Sequence, residues 1–221
     1  GINNDIFFSE GSLFAIHHKL MPYRVHNVLL IASLYDYFMM EEDGRMTQLL
    51  NESYSRWNLG YVPEIIRVNN VDEAVKLFSD RSFDLVILML RPDISGIHDD
   101  LIRIKSEVGS VPVVVLAHNS HDAAGFSINT HRGTFDYLFV WQGDGGIIVS
   151  IIESVEDGIN AQSDTRLVGL QNILIIESKP ELYSIYIPVI LRELRGHIDR
   201  LLHSNLTFTQ RLIRQKARPR I

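Results

Sequence analysis

Hydrophobic residues arrive along this chain in short unbroken runs, each followed by a stretch in which they recur every three or four positions. The runs are Val28-Leu29-Leu30-Ile31-Ala32, Glu64 to Val68, Phe83 to Leu90, Val111 to Leu116 and Thr134 to Val140. Runs this short and rich in branched side chains read as strands, Val28 to Ala32 as a buried one and Phe83 to Leu90 as the centre of a parallel sheet covered on both faces. The stretches between them carry helical periodicity. One helix is predicted from Tyr35 to beyond Leu50, with Phe38, Met46, Leu49, Leu50 and Tyr54 inward and Glu41, Glu42 and Asp43 outward, although Gly44 weakens its interior. Asn70 or Asn69 caps the next, Val71 to Phe78, which offers Ala74, Val75, Leu77 and Phe78 to a core. Ile97 to Val108 and His121 to about Asn129 follow, and Asp144 caps a helix from Ile147 to Val155 that ends at Gly158. Five strand–helix units with short connections and right-handed crossovers predict an α/β fold, a doubly wound five-stranded parallel sheet between helices.

Two regions flank this pattern. Residues 1–24 read as an N-terminal arm, in which Ser9 or Ser12 caps a short helix carrying Leu13, Phe14, Ile16 and Leu20 before Pro22 stops it. Phe7, Phe8 and Phe14 are too apolar for water, so the arm is expected to dock on a domain or a second subunit. Its neighbouring His17 and His18 point in different directions on a helix and read as surface histidines. After a first domain over 25–160 comes a polar linker, 161–170, and a second beginning. Asn172-Ile173-Leu174-Ile175-Ile176-Glu177-Ser178 repeats Asn27-Val28-Leu29-Leu30-Ile31-Ala32-Ser33. A helix from Glu181 through Leu191, continuing towards Lys216, and a strand-like start at Ala217 to Ile221 follow it. Residues 171–221 therefore read as an incomplete second copy of the domain opening, in a fragment of something longer.

Composition narrows the possibilities. The 221 residues are 46% hydrophobic and contain no cysteine, which allows a substantial core and excludes disulfides and thiolate chemistry. No apolar run is long enough to span a membrane, and the reading is a soluble, cytoplasmic chain. A net charge of −6 argues against nucleic acid as a partner. Charge is uneven, however: Arg192, Arg195, Arg200, Arg211, Arg214, Lys216, Arg218 and Arg220 crowd the C-terminal region against Glu193 and Asp199 alone. The expectation is a solvated basic helix that meets acidic surface elsewhere in this chain or in a partner.

Phe83-Asp84-Leu85-Val86-Ile87-Leu88, Pro112-Val113-Val114-Val115-Leu116-Ala117 and Gly133-Thr134-Phe135-Asp136-Tyr137-Leu138 resemble the response-regulator receiver domain over residues 25–160. That resemblance implies the CheY-like, flavodoxin-like fold and a phosphorylation site at the carboxyl ends of its strands. A receiver holds magnesium on an acidic pair after strand one, takes a phosphoryl group on an aspartate ending strand three, and assists with a Ser or Thr and a lysine ending strands four and five. Here the acidic pair falls on Ala32 and Ser33, the acceptor on Met89 (Leu88 in the alternative register), the hydroxyl on Ala117 and the lysine on Val140. Apolar groups neither coordinate magnesium nor accept phosphate. The resemblance thus implies a degenerate pseudo-receiver with no catalytic residue, no cofactor and no metal. The second copy keeps one carboxylate, Glu177 beside Ser178. Leu20-Met21-Pro22-Tyr23-Arg24-Val25, Leu34-Tyr35-Asp36 and Glu41 to Arg45 add a narrower similarity. They resemble the N-terminal receiver-like region of proteins that continue into a phosphoenolpyruvate synthase or pyruvate-phosphate dikinase type of phosphotransferase. This segment itself is expected not to be an enzyme.

Other chemistry at the same end of the sheet has ordinary explanations. Asp36, Asp93, His98, Asp99, Asp100 and His118 come from its loops but lack metal-site spacing, and read as solvated or capping residues. Asp93 is the alternative acceptor, displaced past the strand end. Gly143-Asp144-Gly145-Gly146 could cradle a phosphate at a helix start, though turn glycines with a capping aspartate account for it. A vacated, apolar pocket could instead sense a small ligand or nucleotide. Tyr137, Phe139 and Trp141 are the interface candidates, since aromatics anchor protein contacts and Tyr137 matches the switch aromatic of receivers. The expected partner is a protein, a second copy in a homodimer, or downstream domains of the same polypeptide.

Overall fold

The computed structural model describes residues 16–44, 46–56, 61–91, 93, 95–126, 133–202 and 216–221. In chain order these hold β1 (Asn27–Ile31), α1 (Leu34–Gly44), α2 (Met46–Arg56), β2 (Glu64–Val68), α3 (Val71–Asp80), β3 (Leu85–Met89), α4 (Ile97–Val108), β4 (Val113–Ala117), α5 (Ser120–Gly125), β5 (Tyr137–Val140), α6 (Gly146–Val168) and α7 (Pro180–Leu202). All strand pairings are parallel, in the order β2-β1-β3-β4-β5. This is the flavodoxin-like winding, in which the chain leaves β1 first to one side and then to the other. The central runs are buried on both faces: every residue of β3 and β4 is buried, while β2 at the sheet edge has only Val68 fully buried. On one face Leu29, Ile31, Val86, Leu88, Val113 and Val115 meet Val71 and Ala74 of α3 and Leu101 and Ile104 of α4.

Local chemistry sets the element ends. The Asn70 side chain accepts the Glu73 N–H at 2.9 Å, and the Glu73 carboxylate accepts the Asn69 N–H at 2.9 Å, so Asn70 is the cap of α3. Asn119 caps α5 in the same manner on Asp122. Gly96 opens α4 with φ 77°, a left-handed turn that suits glycine.

The chain divides into two compact units. One, Val25–Val155 with Ile176–Val189, contains the sheet. Its edge strand β5 is covered by the start of α7: the Val140 N–H donates to Ser184 Oγ at 2.8 Å, and the Phe139 and Tyr183 rings lie 5.3 Å apart. Pro188 inside α7 deprives the Ser184 carbonyl of its helical donor, since proline has no N–H.

The other unit, Gly1–Arg24, Glu156–Ile175 and Ile190–Ile221, is organised by a polar stripe on α6. Asp157, Asn160 and Asp164 are all fully buried and spaced to share one helical face. Asn160 bonds both the N–H and the carbonyl of Tyr23, at 2.9 and 2.8 Å. Asp164 accepts the Met21 N–H at 3.0 Å, and its other oxygen accepts Arg220 Nε and Nη2 at 3.0 and 2.7 Å. Asp157 takes Arg218 Nη1 and lies 3.7 Å from Arg220 Nη1. Met21 has φ 52°, an uncommon conformation for a side chain of its size, and the Asp164 bond holds it there.

Several expectations change. The helix predicted from Tyr35 is described in two stretches, α1 and α2, which flank residue 45, outside the described residues. The inward face carries Met40, Met46, Leu50 and Tyr54, all buried, whereas Phe38, on the side of α1 opposite Met40, is 57% exposed. Helix α6 does not stop at Gly158 but runs to Val168, through the segment read as a polar linker. One glycine costs a helix only about 1 kcal/mol, and the buried bonds of Asn160 and Asp164 outweigh it. The true stop is Gly169, at φ 69° with its N–H on Thr165 O at 2.8 Å. The expected strand over 173–176 forms only a bridge, Asn172 to Arg220. His17 is half-buried rather than a surface histidine. The capping role of Ser9 or Ser12, and Phe7, Phe8, Leu13 and Phe14, fall outside the described residues, as does the path of the basic helix between 203 and 215.

Asp164→Ala is expected to cost about 3–5 kcal/mol, because it strands the buried Arg220 charge; a shift in the urea midpoint measures it. Burial, with Lys216, His18 and Arg24 nearby, lowers the His17 pKa to about 4. The unfolded chain protonates this histidine near 6.5 and the folded chain does not, so stability falls as pH drops from 6.5 towards 4. His17→Gln should flatten that part of the stability–pH curve.

Candidate functional site

The doubly wound sheet places a cleft at its carboxyl edge between β1 and β3, where the winding reverses. Ile31 pairs with Leu88, so Ala32 and Met89 leave the two strands side by side. Ala117 and Val140 pair at the ends of β4 and β5. The structure therefore brings Ala32, Met89, Ala117 and Val140 to one edge, and all four are buried. Ser33 is exposed and turns to cap α1: its Oγ donates to Asp36 Oδ2 at 2.6 Å and accepts the Asp36 N–H at 3.1 Å.

The cleft is lined by Ala32, Ser33, Asp36, Asn69, Met89 and Arg91 among others and encloses about 40 Å³. That is room for a few waters, far below the roughly 300–1,000 Å³ of ordinary ligand pockets. Its rim is partly closed by a cation. Arg67 Nη1 donates to the Ala32 carbonyl at 3.1 Å and to Asn69 Oδ1 at 2.7 Å. His118 Nδ1, in the loop after β4, stands 3.9 Å from Asp36 Oδ1 in the first turn of α1.

The remaining polar candidates are engaged elsewhere. Asp100 pairs with Arg91 at 3.0 Å. Asp93 lies exposed on its loop, and hydrogen bonds from the Ser95 side chain and N–H hold its carboxyl below the usual range. Asp144 accepts the Gly146 N–H at 2.9 Å, so a carboxylate already occupies the start of α6 where a phosphate would sit. Among the described residues no three histidines or carboxylates converge to hold a metal ion.

Of the aromatic set, Phe139 is fully buried, while Tyr137 and Trp141 are half-buried. The Tyr137 ring lies 6.4 Å from Phe139. Burial pushes both the Tyr137 and Tyr183 hydroxyl pKa values upward. The Trp141 Nε1 is buried without a hydrogen-bond partner among the described residues. Sequence reasoning missed Tyr183 and Ser184, whose contact with β5 spans some forty intervening positions and leaves no local trace. It also missed Asp157 and Asp164, although polar residues at helical spacing between apolar ones were a usable sign.

No protein-family model matches the chain, and no curated protein matches it. Solved structures give distant likenesses. A CheY-like response regulator receiver domain from Methylobacillus flagellatus is 16% identical, over 59% of this chain and 98% of that one, with a TM-score of 0.41. The signal receiver domain of a signal transduction histidine kinase from Syntrophus aciditrophicus is 17% identical, over 69% and 99%, at 0.42. A response regulator protein from Burkholderia pseudomallei with a phosphorylated aspartic acid, calcium ion and citrate is 14% identical, over 86% and 97%, at 0.38. With scores this low, the fold assignment rests on the strand order and register of the chain itself.

Ser184→Ala should destabilise the chain by about 1–3 kcal/mol, because it leaves the buried Val140 N–H unpaired. Thermal unfolding measures this, and Ser184→Thr should retain most of the stability.

Proposed function

We infer that the sheet unit is a receiver-like signalling module that no longer accepts a phosphoryl group and acts by protein contact. The observation that carries the reading is the edge formed by Ala32, Met89, Ala117 and Val140, four buried apolar groups where phosphoryl chemistry needs carboxylates, a hydroxyl and an ammonium. Both registers considered for the acceptor, Met89 and Leu88, give a buried apolar side chain. Arg67 on the Ala32 carbonyl further disfavours a divalent cation at that point.

The contact surface in this reading is the edge of β5. Phe139 stacks near Tyr183, and Ser184 satisfies the edge N–H, so a helix from the following part of the chain occupies the face that Tyr137, Phe139 and Trp141 help to build. This favours downstream elements of the same polypeptide over a homodimer as the partner. The similarity to the opening region of phosphoenolpyruvate synthase-type proteins suits such a role: the module would be regulatory or scaffolding, and any phosphotransfer would belong to other parts of the polypeptide. Sensing of a nucleotide is disfavoured by a cleft of about 40 Å³. Phosphorylation at Asp93 is disfavoured by its place on an exposed loop past the end of β3, which stops at Met89.

Incubation with acetyl phosphate and magnesium should leave the intact mass unchanged. A single added phosphoryl group, lost in Asp93→Asn, would replace this reading with the displaced-acceptor mechanism.

A further inference from the structure

In the unit built on α6, the N-terminal and C-terminal segments meet at a lysine. Lys216 is half-buried, and its Nζ donates to the His17 carbonyl at 3.1 Å across a separation of 199 residues. Its own carbonyl accepts Arg220 Nη2 at 2.6 Å. Arg24, whose Nε donates to the Met21 carbonyl at 3.2 Å, belongs to the same cluster of cations. Among the described residues no carboxylate lies within ion-pair distance of the Lys216 ammonium. Asp164 attracts it from farther away, but both of its oxygens already accept hydrogen bonds, from the Met21 N–H and from Arg220. Arg220 is fully buried, and its Nη1 has no hydrogen-bond partner among the described residues, with Asp157 Oδ1 3.7 Å away.

Such a setting works against the charged form of an amine. Burial strips hydration from the ammonium, and the guanidinium groups of Arg24 and Arg220 repel it. The Lys216 pKa is lowered from 10.5 to about 8, so in mildly alkaline solution much of this side chain carries a lone pair. A lysine desolvated beside other cations is a nucleophilic amine. The surroundings also select the electrophile. The nitrogen has to keep one N–H for the His17 carbonyl, and an acceptor with negative charge is what the cluster lacks. Addition of carbon dioxide meets both conditions. It leaves one N–H on nitrogen and sets a carboxylate beside Arg24 and Arg220, so attraction replaces repulsion. A molecule of three atoms also reaches an amine held against backbone without needing a ligand-sized cavity.

We propose that Lys216 is a carbon dioxide site, where a reversible carbamate forms and tightens the joint between the N-terminal and C-terminal segments. The Nζ lone pair forms the new N–C bond, and one C–O π pair moves onto oxygen. The proton lost from nitrogen passes to water or buffer. The carbamate keeps its N–H on the His17 carbonyl, and its oxygens accept N–H groups from the neighbouring guanidinium side chains. The site belongs to the unit around α6 and not to the sheet unit. This assignment and the reading of the sheet unit can therefore fail separately.

The 221-residue chain, equilibrated with isotope-labelled bicarbonate in mildly alkaline buffer, is trapped with triethyloxonium and mapped by peptide mass. Lys216 should carry the ethylated, labelled carbamate at a level about tenfold or more above the ordinary, exposed Lys19, Lys76 and Lys179. Unfolding in urea should abolish that excess. The thermal midpoint of the chain should rise with bicarbonate, relative to chloride at equal ionic strength, because the adduct forms on the folded state alone. Lys216→Arg keeps the charge without the amine and should show neither effect. Labelling of Lys216 no greater than that of the exposed lysines, or unchanged in urea, would overturn the proposal. Stabilisation by bicarbonate with no trapped adduct would overturn it too, by assigning the cluster to an anion held without a covalent bond.

Discussion

A parallel strand has to be covered on both faces, because the connections that make strands parallel pass over the sheet as helices. That requirement shapes the sheet unit. It explains why β3 and β4 carry no exposed residue and why Leu29 and Ile31 lie beneath α3 and α4. It also makes the edge of β5 a weak point, since an edge strand presents unpaired backbone groups. Ser184 on the Val140 N–H and Tyr183 against Phe139 close that edge with the chain's own helix.

The winding of the sheet gives its carboxyl edge a cleft whether or not chemistry is done there. In this chain the cleft is small and its inner wall apolar, with Arg67 drawn over the β1 carbonyl. With buried alkyl groups at Ala32, Met89, Ala117 and Val140, the strand ends pack as ordinary core and carry no repulsion between neighbouring carboxylates. Buried charge is found in the unit holding Asp157, Asp164, Arg218 and Arg220. There Asp164 alone fastens an N-terminal segment, through the Met21 N–H, and a C-terminal one, through Arg220, to a single helix face. Burying these four side chains is favourable only as a set, because any one alone would be an uncompensated charge.

The parts of the fold legible in advance were those written in local patterns. The strand Glu64–Val68 and the helix Ile97–Val108 lie where their apolar periodicity puts them. The cap Asn70 follows from its side-chain oxygen, and the convergence of Ala32, Met89, Ala117 and Val140 follows from counting along strands of known direction. What was not legible depended on partners far away in sequence. Gly158 reads as a helix end until the buried bonds of Asn160 and Asp164 are known. Phe38 reads as core until Met40, on the opposite side of the same helix, is seen to be the buried residue.

The sequence by itself determined the fold class, the strand order's raw material and the chemical poverty of the carboxyl edge. Each depends on residue type at a local spacing, and no tertiary contact can turn Met89 into a carboxylate. Tertiary structure decided which charges pair, where α6 ends and which strand edge is protected. Those outcomes are settled by interactions such as Asp164 with Arg220 and Val140 with Ser184, across separations of 56 and 44 residues. At such distances the chain's local preferences are silent, and only the geometry of the packed elements brings the partners together.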